Sequence, residues 1–310
     1  MKHAILDLGT NTFLLLIVEA ESDLTFKILH QSKRVVKLGQ GGIGKNHIQK
    51  PAFKRGVQAL LSLKKTIQKF EVSDVHAFAT SAIRSSDNGL DFVREVNSST
   101  GIEIQVIKGE EEAELIYLGV RQCVNLDEQP VLIMDIGGGS IEFILGNESG
   151  LLWKHSYNIG VARLLERFSP SDPITEDQIQ LVESYLDNQL SDLSEMLVKY
   201  PVTRIIGSAG SFESYTDILG FRNFGKALSS SLLSYEFDLK QYFDLHNYLI
   251  QSTRRQRQSL KGLLRMRVDM IVLASVVTNF VIKKYSISRM QYSAYSLKEG
   301  ALWNSLRRKS

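Results

Sequence analysis

Two short segments of the sequence combine a carboxylate, glycines and hydroxyl side chains, each directly after an apolar run. They read Asp7-Leu8-Gly9-Thr10-Asn11-Thr12 and Asp135-Ile136-Gly137-Gly138-Gly139-Ser140. Glycines let backbone N–H groups approach an anion closely, and Thr or Ser hydroxyls add further donors. A carboxylate beside a bound phosphate is repelled unless a cation separates them, so the pair predicts phosphate loops that also hold Mg²⁺. A tight hairpin with a turn-forming Asp is the alternative for either segment alone, and two matching copies favour the phosphate loops.

Two further segments place charged side chains where a strand meets a helix. Ala79-Thr80-Ser81-Ala82-Ile83-Arg84 offers backbone N–H groups to an anion, and Arg84 is able to clamp a phosphate through two parallel hydrogen bonds. Gly109-Glu110-Glu111-Glu112-Ala113 opens a helix, where a carboxylate that faces a cleft would accept a proton from an attacking water. The alternatives are a surface arginine and acidic residues that suit the helix dipole, and the dipole interpretation is favoured for Glu110 and Glu111.

Three segments rich in glycine or arginine are less specific. Gly207-Ser208-Ala209-Gly210-Ser211 follows a predicted strand, and it is either a further contact to phosphates or a nucleoside, or a plain strand-to-helix turn. Gly39–Asn46 satisfies GxGxxG and nearly GxxxxGK, but Asn46 has no hydroxyl for Mg²⁺ and no helix is predicted to begin there. We therefore reject a Rossmann or Walker site. Arg254–Arg267 carries six cations in fourteen residues, and it is either a solvated helix face or a path for a long polyanion.

The elements that position these segments repeat in both halves of the chain. Each half opens with three strands in meander spacing, and the first strand ends at Asp7 or Asp135, which are 128 residues apart (135 minus 7). The repeat predicts a duplicated α/β domain, residues 1–124 and 125–310, with a cleft in which two facing loops clamp a polyphosphate. The predicted strands are His3–Leu8, Phe13–Glu19, Leu24–Gln31 (after a polar turn at Glu21–Asp23), Val75–Ala79, Ile102–Ile107, Val131–Ile136, Ile141–Leu145, Leu151–Tyr157 and Thr203–Gly207. The predicted helices are Phe53–Phe70, Glu110–Cys123, Thr175–Tyr200 with a capping box at Thr175 and Gln178, and one near Met270–Ile282.

Composition excludes several classes of protein. The chain has 310 residues, 43 % of them hydrophobic, and 37 Lys and Arg against 34 Asp and Glu. These values argue against disorder, and the near-neutral total argues against a nucleic-acid partner. A single cysteine, Cys123, rules out an internal disulfide framework. The longest apolar stretch, Met270–Ile282, is too short to span a bilayer. With no leader peptide recognised, we expect a cytoplasmic protein without a membrane partner.

Together, the segments resemble the exopolyphosphatase/guanosine pentaphosphatase family, in the actin–hexokinase–Hsp70 fold superfamily, over nearly the whole chain. The Glu-Glu-Ala box and the Arg84 segment, in this order, single out the family, because the two loops alone are shared with sugar kinases and chaperones. The matching segments are Asp7–Phe13, Ala79–Arg84 with Asn88-Gly89, Gly109–Ala113, Asp135–Ser140 with Glu142 and, more weakly, Ile159–Leu164 and Ser296–Gly300. Leu14, Ser86 and Lys298 depart from the family's usual residues.

The resemblance implies two ribonuclease-H-like (actin-like ATPase) domains and hydrolysis of terminal phosphoanhydride bonds in polyphosphate, guanosine pentaphosphate (pppGpp) or both. Glu112 would be the catalytic base that activates water, and Asp7, Asp135 and Glu142 would hold Mg²⁺ or another divalent cation. The expected phosphate-binding residues are Gly9, Thr10, Asn11, Thr12, Arg84, Gly137, Gly138, Gly139, Ser140, Gly207, Gly210 and Ser211. A small-molecule kinase of the same superfamily and a non-catalytic sensor of polyphosphate or guanosine tetraphosphate remain the alternatives. A homodimer is also left open.

Overall fold

A computed structural model describes residues 1–21 and 25–307 of the chain. The predicted polar turn Glu21–Asp23 and the predicted start of a strand at Leu24 therefore lie largely outside the described residues. Within those residues, no helix is both long and apolar enough to cross a membrane.

The first half of the chain builds a five-stranded sheet from an antiparallel meander and two parallel strands. Its elements are β1 (Lys2–Leu8), β2 (Thr12–Ala20), β3 (Phe26–Val35), α1 (Lys50–Lys69), β4 (Asp74–Ala79), α2 (Ser81–Arg84), α3 (Gly89–Thr100), β5 (Ile104–Val106) and α4 (Gly109–Val120). The strand order is β3-β2-β1-β4-β5, with β4 parallel to β1. Because β1 lies at the centre and is apolar on both faces, its carboxyl end is held rigidly where Asp7 and the first glycine loop follow.

The second half repeats this plan in a six-stranded sheet and adds helices. Its elements are β6 (Val131–Ile136), β7 (Ile141–Asn147), β8 (Gly150–Tyr157), α5 (Val161–Phe168), α6 (Glu176–Gln189), α7 (Ser191–Lys199), β9 (Arg204–Ser208), α8 (Ala209–Phe224), β10 (Ser234–Phe237), α9 (Leu239–Gln251), α10 (Arg254–Gln258), α11 (Ile271–Lys284), β11 (Arg289–Ser293) and α12 (Leu297–Arg307). The strand order is β10-β11-β9-β6-β7-β8. The α/β class with two sheets, each opening on a three-stranded meander, confirms the predicted fold class.

One predicted helix is in fact two. The capping box forms as predicted, with the Gln178 N–H donating to Thr175 Oγ1 and the Thr175 N–H donating to Gln178 Oε1. The segment predicted as a single helix from Thr175 to Tyr200 bends at Leu190, which ends α6 and precedes α7. Leu190 has φ −106° and ψ 26°, which lie outside the helical range and interrupt the helix, and its side chain is fully buried.

A hydrophobic cluster between the two sheets joins the halves of the chain. Ile5 and Leu16 of the first sheet contact Ile133 and Ile144 of the second through α4 and α12. The helix α12 comes last in the described sequence, yet it packs on α4 and β1 of the first half. Gly119 and Gly300 allow this close approach, because a Cβ on either would collide with the other helix's backbone. The predicted boundary between residues 124 and 125 stays a prediction.

Candidate functional site

A cavity of about 570 Å³ lies where the two glycine loops meet, at the carboxyl ends of β1 and β6. It is lined by most of the predicted site residues: Asp7, Gly9, Thr10, Asn11, Thr12, Glu112, Asp135, Gly137, Gly138, Gly139, Ser140, Glu142, Gly210 and Ser211. Arg84 and Gly207 are not among the lining residues. The fold therefore brings the two halves of the predicted constellation together from opposite sheets.

The two loops have the same closing hydrogen bond and contact each other. The Gly9 N–H donates to Thr12 O at 3.0 Å, and the Gly137 N–H donates to Ser140 O at 3.0 Å. A Cβ on Gly139 would lie 2.6 Å from Thr10 Oγ1, so only glycine allows the second loop to approach the first this closely.

The amino end of α5 orients the backbone of the second loop. The N–H groups of Val161 and Ala162 donate to the carbonyls of Gly137 and Gly138 at 3.0 and 2.8 Å. In a trans peptide the N–H points opposite to the carbonyl. The N–H groups of Gly138 and Gly139 therefore point away from α5, and no acceptor for them exists among residues 1–21 and 25–307. Such free, convergent N–H groups form an anion-binding concavity.

Arg163 connects the second glycine loop to the first half of the chain through hydrogen bonds. Its Nε donates to Gly139 O at 2.9 Å, its Nη1 to Ile43 O at 2.6 Å and its Nη2 to Ser85 Oγ at 2.6 Å. One guanidinium therefore links the second loop with the glycine-rich segment Gly39–Asn46 and with the end of α2. Arg163 lies in the segment that matched the family weakly, and nothing in its local sequence predicts these contacts.

The carboxylates come from equivalent places in the two sheets. Asp7 and Asp135 lie near the ends of β1 and β6, and Glu142 is the register partner of Asp135 on β7. Burial raises the pKa of Asp7 to about 7, and Glu112 adds to the shift by repulsion. Burial raises the pKa of Asp135 to about 6, although Ser208 Oγ donates to its Oδ2. Glu142, 1 % exposed, has a pKa well above its usual range because of burial and the repulsion of Glu112 and Asp135.

Glu112 reaches the cavity from the first turn of α4. Gly109, where α4 begins, packs so closely on Ser156 of β8 that a Cβ would not fit, so the helix starts in direct contact with the second sheet. Arg84 Nη1 donates to Glu112 Oε2 at 2.6 Å and to Ile107 O at 3.2 Å. Burial raises the pKa of Glu112 to about 7 in spite of the Arg84 guanidinium. Arg84 thus contacts the carboxylate that the sequence singled out.

The two neighbouring glutamates have other surroundings. Glu111 accepts a hydrogen bond from Gln105 Nε2 at 3.0 Å and is exposed. Glu110 lies 3.8 Å from His155, also near the surface. Both positions agree with the helix-dipole interpretation of these two residues.

Three cations and a buried hydroxyl at the cavity were missing from the predicted set. Lys33 and Arg267 line the cavity and both contact Glu213, at 3.0 and 2.7 Å. Lys298 lies 2.6 Å from Glu299 and faces Asp7 and Asp135. Ser81 Oγ is buried and, within the described part of the chain, has no hydrogen-bond partner. Lys33 carries no local signal. Lys298 lies in the segment Ser296–Gly300, which matched the family weakly, and Arg267 is the last cation of the basic stretch.

Three of the six cations in the basic stretch Arg254–Arg267 make side-chain contacts within the protein. Arg257 is 5 % exposed and donates to Val268 O at 2.9 Å and to Asp172 Oδ1 at 2.8 Å. Arg254 Nε donates to Asp269 Oδ1 at 2.6 Å. Of the six cations, Arg267 lines the main cavity. Arg255, Lys261 and Arg265 are exposed, and whether they form part of a path for a polyanion stays a prediction.

Gly207 and the glycine-rich loop Gly39–Asn46 make contacts with other parts of the same chain. Gly207 lies inside β9, and a Cβ there would overlap the Phe212 ring. In Gly39–Asn46, the N–H groups of Gly41 and Gly44 donate to the Glu166 carboxylate of α5 at 2.7 and 3.0 Å. This glycine-rich loop does bind an anion through its backbone, but that anion is a side chain of the same protein, which accords with our rejection of a Walker site.

Comparison with known proteins identifies the family. The model of the Ppx/GppA phosphatase family matches residues 16–309, and the chain belongs to this family. It is similar to exopolyphosphatase 1 of Mycobacterium tuberculosis, with 25 % identity over 311 residues, 99 % of this chain and 88 % of that protein. It is also similar to the bifunctional 3-dehydroquinate synthase/phosphatase of Fusobacterium nucleatum, with 29 % identity over 89 % of this chain and 42 % of that protein.

Solved structures show the same architecture. An exopolyphosphatase from Cytophaga hutchinsonii superposes with a TM-score of 0.96 at 36 % identity, covering 99 % of this chain and 98 % of that one. A Ppx/GppA family member from Aquifex aeolicus gives a TM-score of 0.82 at 24 % identity, covering 100 % of this chain and 99 % of that one. These findings confirm the family resemblance, the two-domain fold class and the predicted class of enzyme, a phosphohydrolase.

Proposed function

We propose that this enzyme removes terminal phosphates from inorganic polyphosphate, from pppGpp or from both, with Glu112 as the base that activates water. The observation that carries the proposal is the position of Glu112. Glu112 is a buried carboxylate, and burial raises its pKa to about 7. It lines the same cavity as both glycine loops. A general base works best when its pKa lies near the operating pH.

The loops supply the groups that a chain of phosphates requires. Free N–H groups of Gly138 and Gly139, together with hydroxyls of Thr10, Thr12 and Ser140, would hold the terminal phosphates from two sides. Ser81, whose buried hydroxyl has no hydrogen-bond partner among the described residues, adds a further donor to this set. Arg84 would hold the orientation of Glu112 and donate to a phosphate oxygen through its remaining N–H groups.

The carboxylates fit a divalent cation. Three carboxylates line one cavity, those of Asp7, Asp135 and Glu142. Their pKa values are raised because burial and the neighbouring negative charges disfavour ionisation. Oxygen ligands of this type suit Mg²⁺, which is held by one or two carboxylates plus phosphate oxygens. When bound, the ion would neutralise charge on the phosphates as the bond to the leaving group breaks.

The names of the relatives support the choice of substrate. Two of the similar proteins are named exopolyphosphatases. The one from Cytophaga hutchinsonii is 36 % identical to this chain, and the match covers 98 % of that protein. The cations Lys33, Arg267 and Lys298 on the cavity wall would receive phosphates beyond the terminal ones. Short chains and pppGpp need fewer such contacts than long polymer, so both remain within the proposal.

The experiment is incubation with polyphosphate of defined length, pppGpp and ATP in the presence of Mg²⁺, with product analysis over time. We expect release of one inorganic phosphate per cleavage from polyphosphate or pppGpp, and products shortened by one unit. Transfer from ATP to an acceptor without net phosphate release would show a kinase instead. Binding without turnover, in a preparation whose folding is verified by circular dichroism, would show a sensor.

A further inference from the structure

Two histidines and an aspartate converge at the end of the first sheet that lies away from the cavity. In the parallel register of β1 and β4, His3 lies beside Asp74, and His76 follows Asp74 by two residues, so the three side chains share one face of the sheet. His3 Nδ1 lies 2.6 Å from Asp74 Oδ2, and His76 Nε2 lies 3.1 Å from the same oxygen. All three ligand atoms lie within 4.8 Å of one another.

The cluster is separate from the phosphate cavity. His3 precedes Asp7 by four residues on one strand, which places the two about 13 Å apart at ~3.3 Å per residue. The helix α12 covers the cluster, and Ser305 Oγ lies 3.2 Å from His76 Nε2. The His3 side chain is 2 % exposed, Asp74 18 % and His76 33 %. The group is therefore mostly enclosed, with one side open to solvent at His76.

We propose that His3, Asp74 and His76 form a binding site for a divalent transition metal, with Zn²⁺ as the preferred ion. Two imidazole nitrogens and a carboxylate oxygen are a donor set that suits zinc, and Ser305 or a water would complete four-coordination. Ligand atoms at ~2.0–2.1 Å from a tetrahedral ion lie roughly 3.3 Å from one another. The separations of 2.6 Å between His3 Nδ1 and Asp74 Oδ2 and 3.1 Å between His76 Nε2 and Asp74 Oδ2 are both shorter than that value. The three side chains would therefore move apart by up to about 0.7 Å to surround an ion.

The site would tie α12 to the first sheet. This helix begins in the cavity with Lys298 and Glu299 and reaches Ser305 beside the cluster about two turns later. A bound ion would join β1, β4 and α12 at the end of the helix away from the phosphates. The role is structural, and it is independent of the ion at Asp7 and Asp135.

The test is the affinity of the protein for Zn²⁺, measured by competition with a chromophoric chelator. Excess Mg²⁺ is present so that the carboxylates of the cavity do not take up the zinc. We expect one equivalent of Zn²⁺ to bind the wild-type protein and to raise its Tm. His76→Ala and Asp74→Asn should each weaken zinc binding by about 100-fold or more, since loss of even an outer hydrogen-bond partner costs ~10–100-fold. His47→Ala is the matched control, because His47 pairs with Asp87 at 2.6 Å in an exposed His–Asp pair; it should leave zinc affinity unchanged.

Asp74→Asn keeps the shape of the side chain, so it still carries the test where His76→Ala fails to fold, and circular dichroism without zinc checks both variants. Equal zinc affinity in the wild type and both folded variants would overturn the proposal. So would the absence of a one-equivalent site in the wild type. Phosphate release in Mg²⁺ alone serves as a second readout, and it should be the same for Asp74→Asn and the wild type.

Discussion

Glu213 pairs with two cations of the cavity, and Glu213→Gln should destabilise the fold while it strengthens the binding of a polyanion. The Glu213 carboxylate of α8 lies 3.0 Å from Lys33 of β3 and 2.7 Å from Arg267. Burial opposes its ionisation, but the two cations hold the pKa of Glu213 at about 2, below the usual value of 4.5. Because β3 belongs to the first half of the chain and α8 to the second, this carboxylate connects the two sides of the cavity.

The expected loss of stability follows from that pKa. A carboxylate whose pKa is lowered on folding stabilises the folded state above its unfolded pKa, and the stabilisation is lost as the pH falls through the folded pKa. The interval from 4.5 to about 2 corresponds to roughly 3 kcal/mol at ~1.4 kcal/mol per pH unit. The Glu213 side chain is 28 % exposed, so solvent screening reduces this to about 2 kcal/mol at pH 7. At pH 3 less than about 1 kcal/mol remains.

The binding effect has the opposite sign. Without the carboxylate, Lys33 and Arg267 add one net positive charge to the cavity, so we expect KM for polyphosphate to fall by about fivefold at low ionic strength and less at high salt. Urea unfolding at pH 7 and pH 3 measures the predicted loss of stability. KM for polyphosphate at two salt concentrations measures the predicted gain in binding. Glu236→Gln, which removes an exposed surface pair with Arg289, should change neither. A Glu213→Gln protein with unchanged stability at pH 7, or with a raised KM, would refute the reasoning.

Three further predictions concern the loops, the metal and the arginines. Gly139→Ala should reduce kcat/KM by at least about 100-fold, because its Cβ would separate the second loop from Thr10. Excess EDTA should abolish phosphate release, and Asp135→Ala should raise the Mg²⁺ concentration needed for half-maximal activity or eliminate activity; full activity in EDTA would contradict this. Arg257→Gln should lower the free energy of unfolding by about 3 kcal/mol, whereas Arg255→Gln, at an exposed position, should change it by less than about 0.5 kcal/mol.

Local patterns predicted the parts of the molecule that local chemistry determines. Apolar runs that end in Asp7 and Asp135 predicted the central strands, because a strand buried on both faces is apolar along its whole length. The capping box at Thr175 predicted the start of α6, because its hydrogen bonds join residues three apart. Local chemistry favoured a helix-dipole role for Glu110 and Glu111, and the family resemblance then predicted Glu112 as the catalytic base.

Contacts between residues far apart in the chain could not be predicted from the sequence. Arg163 bonds to Ile43, 120 residues away, and Glu213 bonds to Lys33, 180 residues away. No periodicity or spacing rule relates such positions, since the tertiary fold alone brings them together. For the same reason, Arg257 looked like a surface cation from its neighbours, whereas the structure buries it against Asp172 and Val268.

The role of Glu112 is tested most directly by the kcat of Glu112→Gln on polyphosphate at saturating Mg²⁺. Glutamine keeps the size of the side chain, and its amide oxygen can still accept a hydrogen bond from Arg84. It cannot take a proton from water. General-base assistance contributes roughly 10²–10⁴-fold, so we expect kcat to fall by that factor with KM nearly unchanged. Glu111→Gln, at an exposed site one residue away, is the control and should keep wild-type turnover. Near-normal turnover by Glu112→Gln would contradict the proposed mechanism.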